Sequence, residues 1–174
     1  MNNRNVLAIS GSLRNGSTNH NILKYLGELM PNNISYIIYD ELALIPPFDP
    51  GLDNDDVNES VIKLRGLLSE ADGIIICTPE YAFGVPGQLK NMLDWTVSSG
   101  SFSDKPTALI TASLGGEAAH AALLLILGAL NAMVPDSTRL NISFIRSKMD
   151  GDKVADEETI AKLNDVVNAF LSII

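Results

Sequence analysis

The chain has 174 residues, 46% hydrophobic and 19% charged, and its 21 acidic against 12 basic side chains give a formal net charge of −9. That length fits a single domain over residues 1–174, and the apolar share excludes a chain too polar to offset its ordering entropy. The negative charge repels phosphate backbones and anionic headgroups alike, so neither nucleic acid nor a membrane surface is an expected partner.

Short β-rich runs alternate with helical patterns from end to end, as parallel strands joined by crossover helices do. The first strand is read at residues 6–10, and a polar stretch from Ser10 to Asn19 leads into a helix over 18–30 that Pro31 stops. A single Arg4 and a short apolar run do not make a signal peptide, and Cys77, the one cysteine, allows no intrachain disulfide. A cytoplasmic protein is expected. The second strand spans 35–39. A long loop, 40–56, follows, holding Pro46-Pro47 and Pro50-Gly51, and a loop of that length is a candidate for function.

A helix over 57–70, a strand over 73–78 and a helix over 86–98 come next, with Pro86 at a helix start where its missing N–H costs nothing. The fourth strand is 107–113. The helix after it, 118–134, is apolar on every face yet shorter than the ~20 residues a membrane span needs. Only one side of it can face the sheet, so Leu124, Leu127 and Leu130 or their neighbours are expected to face outward and to be covered by a second copy of the chain. A fifth strand at 140–145 and a helix over 156–173 complete the series, the latter with Asp156 as N-cap and Ile160, Leu163, Val167 and Phe170 on one stripe. Strands one, three and four are nearly continuous apolar runs, as in a sheet covered on both faces. The expected class is α/β, a three-layer sandwich around a five-stranded parallel sheet of order 2-1-3-4-5, whose ligand crevice lies beyond the carboxyl ends of strands one, three and four.

Three segments meet there. The first, Ser10-Gly-Ser-Leu-Arg-Asn-Gly-Ser-Thr-Asn19, places glycines, hydroxyls and Arg14 just before a helix, where unpaired N–H groups and partial positive charge favour an anion. Ser12, Ser17 and Thr18 are hydroxyl donors and Arg14 a charged one. The spacing matches neither the triphosphate loop nor the dinucleotide fingerprint, so a monophosphate fits better. The second segment carries Pro79, Glu80, Tyr81 and Phe83 in a tight turn whose backbone and aromatic faces suit the edge and face of a planar cofactor. The third, with Ser113, Gly115 and Gly116, closes the pocket.

Gly11-Ser-Leu-Arg-x-x-Ser-x-Asn19 and Thr78-Pro-Glu-Tyr-x-x-x-x-Pro-Gly-x-Leu-Lys-Asn-x-x-Asp-Trp95 together resemble the NADPH-dependent FMN reductase family of flavodoxin-like proteins, with its chromate-, quinone- and azo-reducing members. The resemblance covers essentially the whole chain. It implies FMN, with NADPH or NADH as co-substrate and a small electron acceptor: a flavin, quinone, azo compound or metal oxyanion. It also implies a homodimer or homotetramer. By resemblance Ser12, Arg14, Ser17, Thr18 and Asn19 hold the FMN phosphate, and Pro79, Glu80, Tyr81, Ala82 and Phe83 lie along the isoalloxazine. The family often has Asn after the Tyr and Ser two residues later, where this chain has Ala82 and Gly84, so contacts there fall to the backbone.

Other chemistries lack their residues. No G-x-S-x-G turn occurs, His20 and His120 are one hundred residues apart without metal-ligand spacing, and Asp49, Asp53, Asp55, Asp56 and Glu59 lack the calcium-loop pattern and read as a solvated acidic loop. Cys77, mid-strand, is read as core. No catalytic acid or base is assigned, because hydride transfer through a flavin needs none. The competing reading is a flavodoxin-like electron carrier, favoured by the acidic charge and disfavoured by Arg14 and the 6% aromatic content.

Overall fold

The computed structural model describes residues 4–174. Five parallel strands, β1 (Arg4–Ser10), β2 (Ile34–Tyr39), β3 (Gly73–Thr78), β4 (Thr107–Ala112) and β5 (Arg139–Ile142), form one sheet in the order β2-β1-β3-β4-β5. This is the order expected from the sequence. β3 and β4 are buried at every position, while the edge strand β2 alternates between partly buried and exposed residues and ends on the buried Tyr39. Helices α2 (Glu59–Glu70), α3 (Gly87–Asp94) and α4 (Glu117–Ala129) cover one face, where Leu64, Leu68, Leu89, Met92, Leu123 and Leu127 pack with Ile74, Ile76 and Leu109. Helices α1 (Thr18–Glu28) and α5 (Glu157–Leu171) cover the other, where Ile22, Leu26, Leu163, Val167 and Phe170 pack on Val6, Ala8, Ile75 and Ile110.

Element ends differ from the expectation for local reasons. α2 begins at Glu59 because Asn58 caps it, its Oδ1 accepting from Ser60 N at 2.9 Å. α4 ends at Ala129, since Asn131 adopts φ 56° and Met133 is drawn beside β4 by Met133 N–H to Lys105 C=O and Thr107 N–H to Met133 C=O bonds. β5 stops at Ile142, because Phe144 turns left-handed (φ 56°, ψ 34°) and a 3₁₀ turn, Ile145–Lys148, replaces the strand. A small antiparallel hairpin, β6 (Met149–Asp150) with β7 (Lys153–Val154), follows before α5, which Asp156 caps through Thr159 N at 2.9 Å as expected.

The outward face of α4 is a correction. Leu127 and Leu130 are buried and Leu124 packs against the core; the outer line is Ala121, Leu125, Gly128 and Ala129, with Leu125 77% exposed. The 3.6-residue period rotates 124 and 127 toward the sheet once Ala119 and Leu123 are anchored there. No helix among the described residues is long and apolar enough to cross a membrane.

The long loop 40–56 is pinned rather than free. Gln88 Nε2 donates to the carbonyls of Leu42 (2.9 Å) and Ile45 (2.7 Å), and Pro46 C=O accepts from both Asn91 Nδ2 and Trp95 Nε1 at 2.8 Å. Phe48 N donates to Asn91 Oδ1 at 2.7 Å, and the Phe48 ring meets Trp95 edge-on at 5.0 Å. Within the acidic cluster, Asp53 is tied down as well: Ser98 Oγ at 2.6 Å and Arg65 Nη2 at 2.8 Å hold its carboxyl below the usual carboxylate range, whereas Asp55 and Asp56 are exposed.

Candidate active site

β1, β3 and β4 end at one edge, and beyond it lies a cavity of about 500 Å³, within the range of small-molecule sites. One wall is the β1–α1 loop. It begins with Gly11, whose N–H donates to Cys77 C=O at 2.8 Å across to β3; a Cβ there would stand 2.1 Å from Thr78 Oγ1, so only glycine lets the strands approach this closely. Ser12 C=O accepts from Ser10 Oγ (3.2 Å), Ser17 N–H donates to Arg14 C=O (3.1 Å), and Gly16 takes φ 67° to turn the chain into α1.

Ser17 is the N-cap of α1, its buried Oγ accepting from His20 N at 3.2 Å. The N–H groups of Thr18 and Asn19, which no helix carbonyl can reach, open toward the cavity end of the dipole. Asn19 is itself buried, donating from Nδ2 to Ala112 C=O (3.4 Å) and accepting from Cys77 Sγ at Oδ1 (3.3 Å), so its side chain braces α1 against β3 and β4. Arg14 is exposed and forms no salt bridge among the described residues.

The opposite wall is Pro79, Glu80 and Tyr81. Tyr81 and Gly84 exchange both backbone hydrogen bonds (3.1 and 3.0 Å) around Ala82 (φ 50°) and Phe83 (φ 56°), a two-residue turn of the kind that favours Asn-Gly. These two residues do not line the cavity, and Phe83 is 87% exposed. The Glu80 side chain turns to α4, where Oε2 accepts from Ala119 N at 2.9 Å. It supplies the cap that Gly116, at φ 113°, has no side chain to give. Ser113 Oγ stitches the two loops together, accepting from Glu80 N (3.2 Å) and lying 3.4 Å from Glu80 C=O.

Nine of the sequence-expected residues therefore line one cavity: Ser12, Arg14, Ser17, Thr18, Asn19, Pro79, Glu80, Tyr81 and Ser113. Ala82, Phe83, Gly115 and Gly116 stand outside the lining and shape its turns; a Cβ on Gly116 would lie 2.4 Å from Asn141 Oδ1. Sequence reasoning missed Ala112, Leu114, Phe144, Ile145 and Arg146, which complete the wall. Reading the fifth strand through residue 145 concealed Phe144, Ile145 and Arg146, for which the run Ser143-Phe-Ile-Arg146, apolar but ending in a cation beside the sheet's carboxyl edge, was the available signal; Ala112 and Leu114 belong to the third segment, on either side of Ser113, and were not singled out in it. Cys77 is fully buried, and burial pushes its thiol up, away from reactivity. His20 and His120 lie outside the lining, and burial, the larger cause in each, lowers both. The ionisable side chains lining the cavity are Arg14, Glu80, Tyr81 and Arg146. Hydroxyls, free N–H groups and an unpaired guanidinium at the start of α1, facing a proline-tyrosine wall across a cavity of this size, fit a phosphomonoester attached to a planar ring.

The family described as NADPH-dependent FMN reductase matches residues 4–146. A quinone reductase of Escherichia coli K12 is 31% identical over 173 residues, covering 95% of this chain and 92% of its own. An NADPH azoreductase of a Bacillus strain, OY1-2, is 29% identical over 97% of this chain and 93% of its own. Among solved structures, the flavoenzyme NAD(P)H:(acceptor) oxidoreductase FerB of Paracoccus denitrificans superposes with a TM-score of 0.85 at 28% identity, covering 97% of this chain and 96% of that one. With the strand order and the phosphate-type loop already in place, these matches settle the assignment: the chain belongs to the NADPH-dependent FMN reductase family.

Proposed function

We propose that the cavity seats FMN with its phosphate against Ser12, Arg14, Ser17, Thr18 and Asn19 and its ring along Pro79, Glu80, Tyr81 and Ser113. Ala82, Phe83, Gly115 and Gly116 serve the same site through the shape of their turns. The chain is a flavin-dependent oxidoreductase using reduced nicotinamide. When bound, FMN supplies a two-electron exchange between the nicotinamide and a small acceptor. The protein's part is positional: Arg14 and the α1 N-terminus neutralise the phosphate, the Ser113–Glu80 stitch fixes the ring wall, and the lining offers no group that must gain or lose a proton. Quinones and azo compounds, the acceptors named for two relatives, are the proposed acceptor classes.

The observation that carries this reading is Arg14, a cation without an ion pair among the described residues, lining the cavity just before the N-terminus of α1. Arg14→Ala is expected to weaken FMN by about 1.5–3 kcal/mol, the range for a hydrogen bond to a charged group, which is on the order of 10- to 150-fold in Kd. Fluorescence titration of FMN measures it. Unchanged affinity would show that the phosphate lies elsewhere, and nicotinamide oxidation that stays silent with quinone, ferricyanide and azo dye alike would leave only electron carriage.

The proposal extends to one domain over the whole chain, a cytoplasmic setting in keeping with the single buried Cys77, and a two-fold pair of chains or a tetramer built from such pairs. Support for the pair is the apolar outer line of α4, where Ala121, Gly128 and Ala129 flank Leu125 and let a second helix approach. Light scattering at micromolar concentration should give at least twice the chain mass, falling to one chain in Leu125→Glu.

A further inference from the structure

Two large apolar side chains stand in solvent at the mouth of the cavity: Leu114 is 76% and Phe144 63% exposed, and both line it. They come from different loops, after β4 and after β5, yet the frame beneath them is rigid. Phe144 N–H donates to Leu114 C=O at 3.0 Å, Ile145 N–H to Ser113 C=O at 3.1 Å, Ser113 N–H to Ile142 C=O at 3.2 Å, and Ser143 Oγ to Gly115 C=O at 3.1 Å. Ile145, next in the chain, is anchored in the core. Phe144 itself sits at φ 56°, ψ 34°, a left-handed conformation that a bulky residue rarely adopts and that glycine adopts freely.

Exposing a phenyl ring and straining its backbone both disfavour folding, and nothing in the packing of Phe144 offsets either. Strain held by a rigid frame beside a ligand cavity is where functional side chains are found. We propose that Leu114 and Phe144 form an apolar shelf that receives the ring of a planar, uncharged electron acceptor, so that Phe144 determines specificity for aromatic acceptors over small hydrophilic ones. The shelf is two side chains wide and continuous with the cavity, the scale of a small-molecule ring rather than of a protein surface. This rests on the flavin reading above for turnover but not for binding.

The test uses Phe144→Gly, which removes the ring and places at φ 56° the residue most at ease there. It should melt no lower than the parent. With FMN bound, the ratio of the KM for 2-methyl-1,4-naphthoquinone to the KM for ferricyanide should rise about tenfold, and Phe144→Tyr should restore it. Equilibrium dialysis of the same naphthoquinone without nicotinamide gives a second readout, about tenfold weaker in the glycine variant. An unchanged ratio with equal naphthoquinone binding overturns the proposal, as does a variant whose FMN affinity falls while both acceptors lose alike, since Phe144 would then belong to the flavin's own seat. If the parent binds the naphthoquinone through Phe144 yet oxidises no nicotinamide with any acceptor, the shelf stands and the reductase reading falls.

Discussion

Trp95→Ala should lower the stability of the protein by about 3–5 kcal/mol, the range for truncating a buried large aromatic, against a total that for domains of this kind is roughly 5–15 kcal/mol. Trp95 is 1% exposed and does three things at once. Its ring meets Phe48 edge-on, its Nε1 donates to Pro46 C=O, and its own carbonyl accepts from Arg65 Nε at 2.9 Å. Truncation leaves a cavity under the loop 40–56 and removes one of the bonds that hold it. Urea unfolding should show the loss, and limited proteolysis should open cleavage within 40–56 before the rest of the chain. Trp95→Phe should cost far less, near 1 kcal/mol, because Pro46 C=O keeps its bond from Asn91 and most of the volume is filled. Equal effects of the two substitutions would mean that the ring does not hold the loop.

Gly11→Ala is expected to be severe for a single methyl. The added Cβ would stand 2.1 Å from Thr78 Oγ1, 2.6 Å from Thr78 Cβ and 3.1 Å from Leu89 Cδ2, and Thr78 is fully buried with no space to retreat. Overpacking a core typically costs about 1–3 kcal/mol, and here relief requires β1 and β3 to part where Gly11 N–H meets Cys77 C=O, which places the effect at or above the top of that range. FMN affinity should fall with it, because the displaced residues are those leading to Ser12 and Arg14. Gly66→Ala is the control. It lies exposed in α2 with nothing within 4 Å of the added Cβ, and should raise stability by about 0.8–1 kcal/mol through helix propensity alone. Thermal melts with FMN titration separate the two.

That the sheet is parallel and covered on both faces was legible because β3 and β4 are apolar at almost every position and alternate with helices; the order followed from the commonest winding of a five-stranded βα alternation. The phosphate wall was legible because its residues are contiguous and the motif lies directly behind a strand. What escaped was set by tertiary context. The line of α4 that faces outward depends on which residues anchor first, and a helix apolar all round carries no such mark in its sequence. Phe144 and Arg146 escaped because a left-handed turn at a phenylalanine contradicts local preference and is held in part by hydrogen bonds to residues 113–115, some thirty positions earlier. The acidic side chains of the long loop are mostly exposed, as read, but Asn91 and Trp95, which as sequence seemed part of a flavin motif, spend their polar atoms with Gln88 in fastening the loop's first half.

Arg14 and Arg146 share one cavity in a molecule that is otherwise strongly acidic, and neither forms a salt bridge among the described residues. An anionic ligand approaching from afar meets repulsion from the whole protein, and only within about a Debye length, ~8 Å at physiological salt, does the local pair of guanidiniums prevail. Ionic strength thus acts on the two halves of binding in opposite senses: screening eases the arrival of phosphate-bearing molecules while loosening the grip that retains them. Raising the salt concentration should therefore speed both the association and the release of such ligands.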